Sequence, residues 1–370
     1  MRIALLAGTA SIHTIRWANG LSRAGVNVHL LTQHEDLESV VEGVEIHRFP
    51  YRGTAGYYLM VPGVRRVLRR ISPDLLNAHY ASGYGTTARL AGFHPYLLSV
   101  WGSDVYDVPR RSFLHRHLVR SNLLAADRIA STSHCMAERV RELVPEIGHI
   151  EITPFGVEMD KFGAASTARG AGQEQETIVI GTVKVMAEKY GIDTLLRAFA
   201  RLVRNLDAET AQRMRLRLVG NGPQLPDLQR LARSLQIDDR VVFAGRVPHE
   251  QVATELEGFD VYAALSRLDS ESFGVAVIEA GAARRPVVVS DAGGLPEVVI
   301  DGRTGLVVSR DDPEAAANAM MRLVQNPGIR ESMGQEARRH VQANYSWDVC
   351  VERLLDLYRS MVKEARPGSR

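Results

Sequence analysis

Cysteine is nearly missing: Cys135 and Cys350 are the two in a chain of 370 residues. Two thiols cannot make a disulfide framework. With no C-x-x-C pair and no His/Cys cluster, nothing in the sequence would hold structural zinc, so the composition suits a reducing cytoplasm. An excess of one charge is missing too, since 45 Lys+Arg stand against 43 Asp+Glu for a net charge of +2. That balance argues against a protein that coats a polyanion. Aromatic residues are only 6% of the chain, and nothing resembles a groove lined with stacking rings, so nucleic acid is a poor partner. Nowhere do about 18 apolar residues follow one another, so nothing spans a bilayer and any membrane contact is peripheral. The N-terminal apolar run, about five residues, fits a first strand better than the core of a signal peptide.

What is present is the make-up of a globular protein, 45% hydrophobic and 24% charged, which excludes general disorder. At roughly 100 to 200 residues per domain the length suggests two domains or three. Ile3 to Ala7 reads as a strand, Gly8-Thr9-Ala10-Ser11 as a turn, about Ile12 to Ala24 as a helix ended by Gly25, and Val26 to Leu31 as the next strand. This is a β-α-β unit with a glycine at the strand-to-helix turn. The same grammar restarts at Thr177, where an apolar run to Ile180 meets Gly181 and a loop, followed by a helix over about Ile192 to Asn205 and a strand from Leu216 to Gly220. Between the two halves, residues 163–176 are small and polar without periodicity and read as an interdomain linker.

The second half continues with a helix near Leu225 to Leu235 and strands at Val241 to Ala244 and Val261 to Ala263. After these come a helix from about Gly274 to Ala283, a strand at Val287 to Val289 and a turn at Gly293-Gly294. A closing helix over about Trp347 to Glu364 keeps Val351, Leu354, Leu355, Leu357, Tyr358 and Met361 on one face, expected to pack on the first domain. The fold expected is α/β, with two doubly wound Rossmann-like domains facing across a cleft. One covers residues 1–165 together with the helix at about 347–370, and the other residues 175–346.

Open parallel sheets take ligands at the carboxyl ends of their strands. The most informative segment there is SRLDSESFGVAVIE, Ser266 to Glu279. Amides near Phe273, Gly274 and Val275 at a helix start, with the helix dipole behind them, make an anion site that Gly274 lets a phosphate approach. Glu279 lies about 7.5 Å further along the helix at 1.5 Å per residue, where it suits a ribose diol rather than the phosphate. Glu271, on the other side, suits hydroxyls of whatever the phosphate carries. The plain alternative is a capped helix with two solvated glutamates. Lys184 and Lys189, in the loop expected after the first strand of domain two, can reach an anion at that edge.

The chain resembles the retaining glycosyltransferases of family 4, which have the two-domain GT-B architecture. The resemblance rests on E271-SFGVAVI-E279, matching an E-x7-E motif, and on EAGAARRPVVVSDAGGLPEVVIDGRTGLVV, LVGNGPQLPDLQRLA, FAGRVP, ITPFGVEMDKF and GTVKVMAEKYGIDTLLRAFA, and covers nearly all of domain two. It implies that Glu279 holds the ribose and Glu271 the hydroxyls of the transferred sugar. It also implies that Phe273, Gly274 and Val275 bind sugar and diphosphate through their amides, that Lys189 neutralises the diphosphate, and that the backbone near Arg246 and Val247 binds the base. Family members usually have Gly-Arg at Gly181-Thr182, and Lys184 stands in for that arginine.

In domain one Gly8 takes the place of a glycine turn at the diphosphate and sugar. Ser99 to Asp104 resembles a stretch that often reads T-V-H-G-x-D, with Trp101 in place of the histidine and Asp104 as a carboxylate on the acceptor side, expected with Lys189 and Glu271 to be catalytic. His13 and His79 are the histidines expected to touch sugar. With no D-x-D motif, Asp269-Ser270-Glu271 being the nearest approach, there is little to hold Mg²⁺ or Mn²⁺ and no metal is expected.

Arginines crowd two stretches, PGVRRVLRRI (Arg65, Arg66, Arg69, Arg70) and PRRSFLHRHLVR (Arg110, Arg111, Arg116, Arg120). These are either solvated helix faces or a peripheral contact with anionic membrane. The expected activity is transfer of a sugar from a nucleoside diphosphate, UDP or GDP, to a saccharide, a lipid-linked saccharide or a small metabolite, with retention of configuration. The alternatives are a nucleotide-sugar epimerase of the same fold and a catalytically silent nucleotide- or partner-binding module.

Overall fold

The computed structural model describes residues 1–35, 43–162 and 177–365, so the stretch read as a linker, 163–176, lies outside the described residues. Two units divide the chain, Met1–Gly156 with Trp347–Arg370, and Val157–Ser346.

In the first unit seven parallel strands run β1 (Arg2–Leu6), β2 (Asn27–Thr32), β3 (Val44–Arg48), β4 (Leu75–His79), β5 (Tyr96–Val100), β6 (Arg128–Ser131) and β7 (Glu151–Ile152), in the spatial order 3-2-1-4-5-6-7. β4 and β5 are buried at every position, as strands covered on both faces must be, which explains their unbroken apolar runs. The closing helix Trp347–Ala365 belongs to this unit. Its Val351, Leu354, Leu355, Leu357, Tyr358 and Met361 are buried, and the Tyr358 hydroxyl accepts a 2.7 Å bond from Asn77 on β4.

The second unit has six parallel strands, β8 (Ile178–Val183), β9 (Met214–Val219), β10 (Val241–Gly245), β11 (Val261–Ala264), β12 (Val287–Ser290) and β13 (Gly305–Val308), in the order 10-9-8-11-12-13. Both sheets therefore reverse direction beside their own first strand, between β1 and β4 and between β8 and β11. Ligands of doubly wound sheets bind at such switch points.

Some local expectations change. β8 does not end at Gly181: the ladder with β9 continues through Gly181, Thr182 and Val183 opposite Arg217, Leu218 and Val219, so Lys184 directly follows the strand. The second basic stretch is two helices, Val108–Arg111 and Phe113–Leu124, broken at Ser112, whose side chain caps the second by accepting from the His115 amide. The helices Pro313–Gln325 and Pro327–Tyr345 are not marked by the sequence reading. The first does carry a start signal in Asp312-Pro313, where the Asp312 side chain accepts from the Glu314 and Ala315 amides. Among the described residues no helix is long and apolar enough to cross a membrane.

Candidate functional site

In the second unit, the segments leaving β8 and β11 meet at the switch point. The Lys184 ammonium lies 2.7 Å from Glu271 Oε1, with side-chain exposures of 13% and 8%. Burial works against the charge on Lys184. Glu271 outweighs it through attraction and a direct hydrogen bond, and the lysine pKa rises above its ordinary value. Lys189, in the short turn Glu188–Tyr190, donates to the Ser270 carbonyl at 3.2 Å. Both ammonium groups sit 4.9 Å from the centre of the Tyr190 ring, a cation–π arrangement that holds two like charges beside one face-polarised ring. Sequence reasoning gave Lys184 and Glu271 separate targets; the structure instead pairs them with each other.

The loop carrying Glu271 is held from below. The Gly294 amide donates to the Glu271 carbonyl at 2.9 Å, and the Gly293 amide to Asp269 Oδ1 at 3.3 Å. A Cβ on Gly293 would stand 2.3 Å from the Glu271 carbonyl oxygen, so the glycine pair read as a simple turn is what lets this loop close down. Gly274 precedes the helix Val275–Ala282 in a left-handed conformation, φ 94°, and no side chain caps the helix start. Phe273 is buried and meets the Tyr345 ring edge-on at 5.8 Å. Glu279 is buried on the same helix. Arg246 and Val247 directly follow β10. Asp269 is ion-paired with Arg310 at 2.9 Å, so both carboxylates of Asp269-Ser270-Glu271 face cationic side chains.

The first unit gathers rings at the carboxyl ends of β4 and β5. Trp101 lies 4.3 Å from His79, 5.3 Å from Tyr80, 5.3 Å from Phe155 and 6.2 Å from His13, centre to centre. His13 stacks on Phe155 at 4.2 Å. Burial pushes the His79 pKa down to about 3, so that imidazole is neutral at physiological pH. Tyr80 leaves β4 with φ 72°, a conformation costly for a tyrosine and typical of functional sites. Tyr80 escapes sequence reading, because nothing local marks a left-handed tyrosine, whereas Phe155 lies inside ITPFGVEMDKF. Gly8 follows β1, and a Cβ there would lie 3.3 Å from His34 Nδ1. His34 Nδ1 in turn is 2.6 Å from the Tyr84 hydroxyl.

Asp104, expected as a catalytic carboxylate, is fully buried. Its Oδ2 accepts from the Ala81 amide at 2.7 Å, and its Oδ1 from Gly102 at 2.8 Å and Trp101 at 3.2 Å. It ties the ends of β4 and β5 together, and burial raises its pKa against these bonds. Outside these sites, His29, Glu45 and His47 are the described residues' one group of three that could hold a metal ion; they lie on β2 and β3.

Two doubly wound parallel sheets, each with its polar cluster at the switch point, define a two-domain protein of the GT-B fold. Two family models match the chain, "Glycosyl transferases group 1" over residues 167–340 and "Glycosyl transferase 4-like" over residues 2–133. The chain belongs to these family-4-type glycosyltransferases. It is 28% identical over 400 aligned positions to a D-inositol 3-phosphate glycosyltransferase of Kribbella flavida, covering 96% of this chain and 91% of that one. It is 32% identical over 250 to the GDP-mannose-dependent alpha-(1-6)-phosphatidylinositol monomannoside mannosyltransferase of Mycolicibacterium smegmatis, covering 65% of this chain. That match spans 64% of the mycobacterial protein, less than two thirds of its length. Among solved structures, Anabaena HepE in complex with UDP superposes with a TM-score of 0.80 at 16% identity, covering 97% of this chain and 100% of that one.

Proposed function

We propose that this chain moves a sugar from a nucleoside diphosphate, UDP or GDP, to a hydroxyl acceptor, with retention of configuration and without a metal ion. The unit spanning Val157–Ser346 takes the donor. The other unit takes the acceptor, a saccharide, a lipid-linked saccharide or a small metabolite, and makes peripheral contact with anionic lipid through its basic helices. The observation that carries the reading is the buried Lys184–Glu271 pair with Lys189 beside it, at the carboxyl ends of β8 and β11. A GDP-mannose-dependent relative and a UDP-bound structural neighbour support the choice of nucleotides.

In this reading the amides of Phe273, Gly274 and Val275 and the ammonium of Lys189 receive the diphosphate. Glu279 accepts from the ribose, and the backbone at Arg246 and Val247 meets the base. Lys184 is a positioning residue: it fixes Glu271 through Oε1 and directs Oε2 to the sugar hydroxyls. Gly8, His13, His79 and Trp101 line the acceptor side, while Asp104 shapes that loop without touching substrate. The bond from the anomeric carbon to the phosphate oxygen breaks as the acceptor oxygen bonds to that carbon from the same face, and the departing phosphate oxygen takes the acceptor proton. Asp269 and Glu271 are engaged by Arg310 and Lys184, so cationic groups do the work a divalent ion would otherwise do.

The test is thermal-shift titration against UDP-, GDP-, ADP- and dTDP-sugars, followed by product analysis with the donor that binds. A ligand of the folded state raises the melting temperature with concentration, and one donor should do so and be hydrolysed slowly without acceptor. If no nucleotide sugar binds, the proposal falls. Binding without transfer or hydrolysis would mark a silent module, and an altered sugar still on its nucleotide an epimerase.

A further inference from the structure

The parallel pairing of β2 with β3 sets His29 opposite Glu45 and Leu31 opposite His47. Side chains two residues apart on a strand share a face, so His29, Glu45 and His47 project together from one side of this strand pair. Their polar atoms converge. His29 Nδ1 lies 3.1 Å from His47 Nε2 and 3.3 Å from Glu45 Oε2, and His47 Nε2 lies 3.4 Å from Glu45 Oε1. The two ring side chains are 7% and 9% exposed and that of Glu45 is 59% exposed, which leaves the cluster open to solvent on one side. Because the three residues come from two strands, no short spacing announces them in the sequence. The lack of a zinc site inferred from composition does not extend to ligands assembled by strand pairing.

Hydrogen bonding alone does not account for the convergence. Two neutral imidazoles carry one proton each, and wherever these sit, at most two of the three contacts gain a donor. With both protons inside the cluster the two N–H groups confront each other; with one inside, a Glu45 oxygen confronts a ring lone pair. A cation at the centre engages all three groups at once. Zinc bonds to imidazole nitrogen and carboxylate oxygen at about 2.0 to 2.1 Å, and tetrahedral geometry then sets its ligands about 3.3 Å from one another. The separations here are 3.1, 3.3 and 3.4 Å. Two imidazoles and a carboxylate also suit zinc better than Mg²⁺ or Ca²⁺, which take oxygen ligands.

We propose that the first unit binds one Zn²⁺ through His29 Nδ1, His47 Nε2 and the Glu45 carboxylate, with water on the open side, and that the ion clips β3 to β2. β3 is the outermost strand of its sheet, bonded along one side only, so an ion held by both strands stabilises the pair by mass action. Arg70, on the helix Val61–Ile71, opposes the ion. Its guanidinium stands 3.4 Å from His47 Nδ1 and 4.0 Å from Glu45 Oε1, but its side chain is 66% exposed and has room to swing into solvent. Arg2 also acts on His29, yet its guanidinium is tied to the Ile71 carbonyl. His29 Nε2 has no partner among the described residues, so no outer acceptor raises the basicity of that ring. These features set the dissociation constant on the order of 1 μM, weaker than in sites with a complete outer shell. The ion takes no part in sugar transfer, and the donor-side reading stands or falls separately.

The test is calorimetric titration of the full chain, stripped with chelator and dialysed, with zinc chloride in the absence of donor, together with melting temperatures over the same zinc range. One ion should bind per chain, and the melting temperature should climb as zinc is added. Glu45→Gln and His47→Gln should each weaken binding at least about tenfold, since even loss of an outer-shell partner costs that much. His149→Gln removes an exposed histidine that also lies beside a carboxylate, Glu151, and should change the affinity by less than about twofold. Arg70→Gln should tighten binding severalfold by removing the competing charge. Glu45 and Arg70 are exposed, so their variants decide the matter even if His47→Gln does not fold. No binding at about 100 μM zinc, a hundredfold above the expected dissociation constant, overturns the proposal. Unchanged affinity in Glu45→Gln, an equal loss in His149→Gln, or an Arg70→Gln protein that binds no tighter than wild type would each place the zinc elsewhere and overturn it too.

Discussion

Lys184 and Glu271 are 87 residues apart in sequence and 2.7 Å apart in space. The contact exists because β8 and β11 are neighbours in the sheet, Val261 pairing with Ile180 and Tyr262 with Gly181, so the segments that leave their carboxyl ends must share one crevice. Each charge makes the burial of the other tolerable, and removing one partner leaves the other both buried and unpaired.

The first expectation follows directly. Lys184→Met should lower unfolding free energy in urea by about 3 kcal/mol, as should Glu271→Leu, because each strands a buried charge. The double variant should be less destabilised than the sum by at least about 1 kcal/mol, while turnover stays abolished in all three. Strictly additive losses would mean that the two side chains do not support each other.

Lys189 should behave differently. It is half-buried and bonded to a neutral carbonyl, that of Ser270, so its removal strands no charge. On the proposed reading Lys189→Ala lowers kcat by about 10²-fold, the scale for loss of one preorganised electrostatic contact, with a stability change under about 1 kcal/mol. Wild-type turnover with the correct donor would remove Lys189 from the mechanism.

The two glutamates separate by ligand. Glu279→Ala should weaken binding of the free nucleoside diphosphate, whose ribose it is assigned. Glu271→Ala should leave that affinity nearly intact and reduce binding or transfer of the sugar. Calorimetric titration of both variants with the diphosphate decides, and equal losses would mean that the roles are wrongly divided.

Much of this geometry is local and therefore legible. The alternation of apolar runs with glycine turns marks both sheets, and Glu271, Gly274 and the helix after it stand in the order that their spacing predicts. What sequence could not show depends on pairing across the sheet or on backbone groups. The Lys184–Glu271 contact requires β11 to lie next to β8, a step no local pattern states. Asp104 looks like any free carboxylate, because its partners are the amides of Ala81, Trp101 and Gly102, and amides leave no trace in side-chain identity. β8 runs past Gly181 because the ladder with β9 outweighs the weak strand preference of a glycine.

His79 gives the chain a measurable acid sensitivity. Burial lowers its pKa from 6.5 to about 3, and its Nδ1 has no partner among the described residues. Unfolded His79 takes a proton as the pH falls through 6.5, while the folded residue does not until about 3. Its contribution is therefore fully present above the unfolded pKa and is lost as the pH falls between these values, on the order of 5 kcal/mol in all. His79→Phe should flatten this part of the profile relative to wild type. Denaturant melts at several pH values compare the two slopes, and parallel slopes would show that His79 does not carry the effect.

The stereochemical outcome tests the mechanism as a whole: the new glycosidic bond should keep the anomeric configuration of the donor. Inversion needs a general base on the face of the sugar opposite the leaving group, and retention by double displacement needs a nucleophilic carboxylate there. The two carboxylates first in line for either task are already engaged. Asp104 is fully buried with three backbone amides on its oxygens, and a carboxylate so enclosed is not placed to reach a sugar. Glu271 is held by Lys184, and it lies in the same crevice as Lys189 and the start of the Val275–Ala282 helix, on the side assigned to the leaving group. On the proposed reading, attack and departure then share one face, with Lys189 and the helix start stabilising the diphosphate as it leaves. Proton NMR of the first product, recorded before mutarotation, reads the anomeric coupling directly. A product inverted relative to the donor would sink the same-face mechanism and require a base from outside the carboxylates considered.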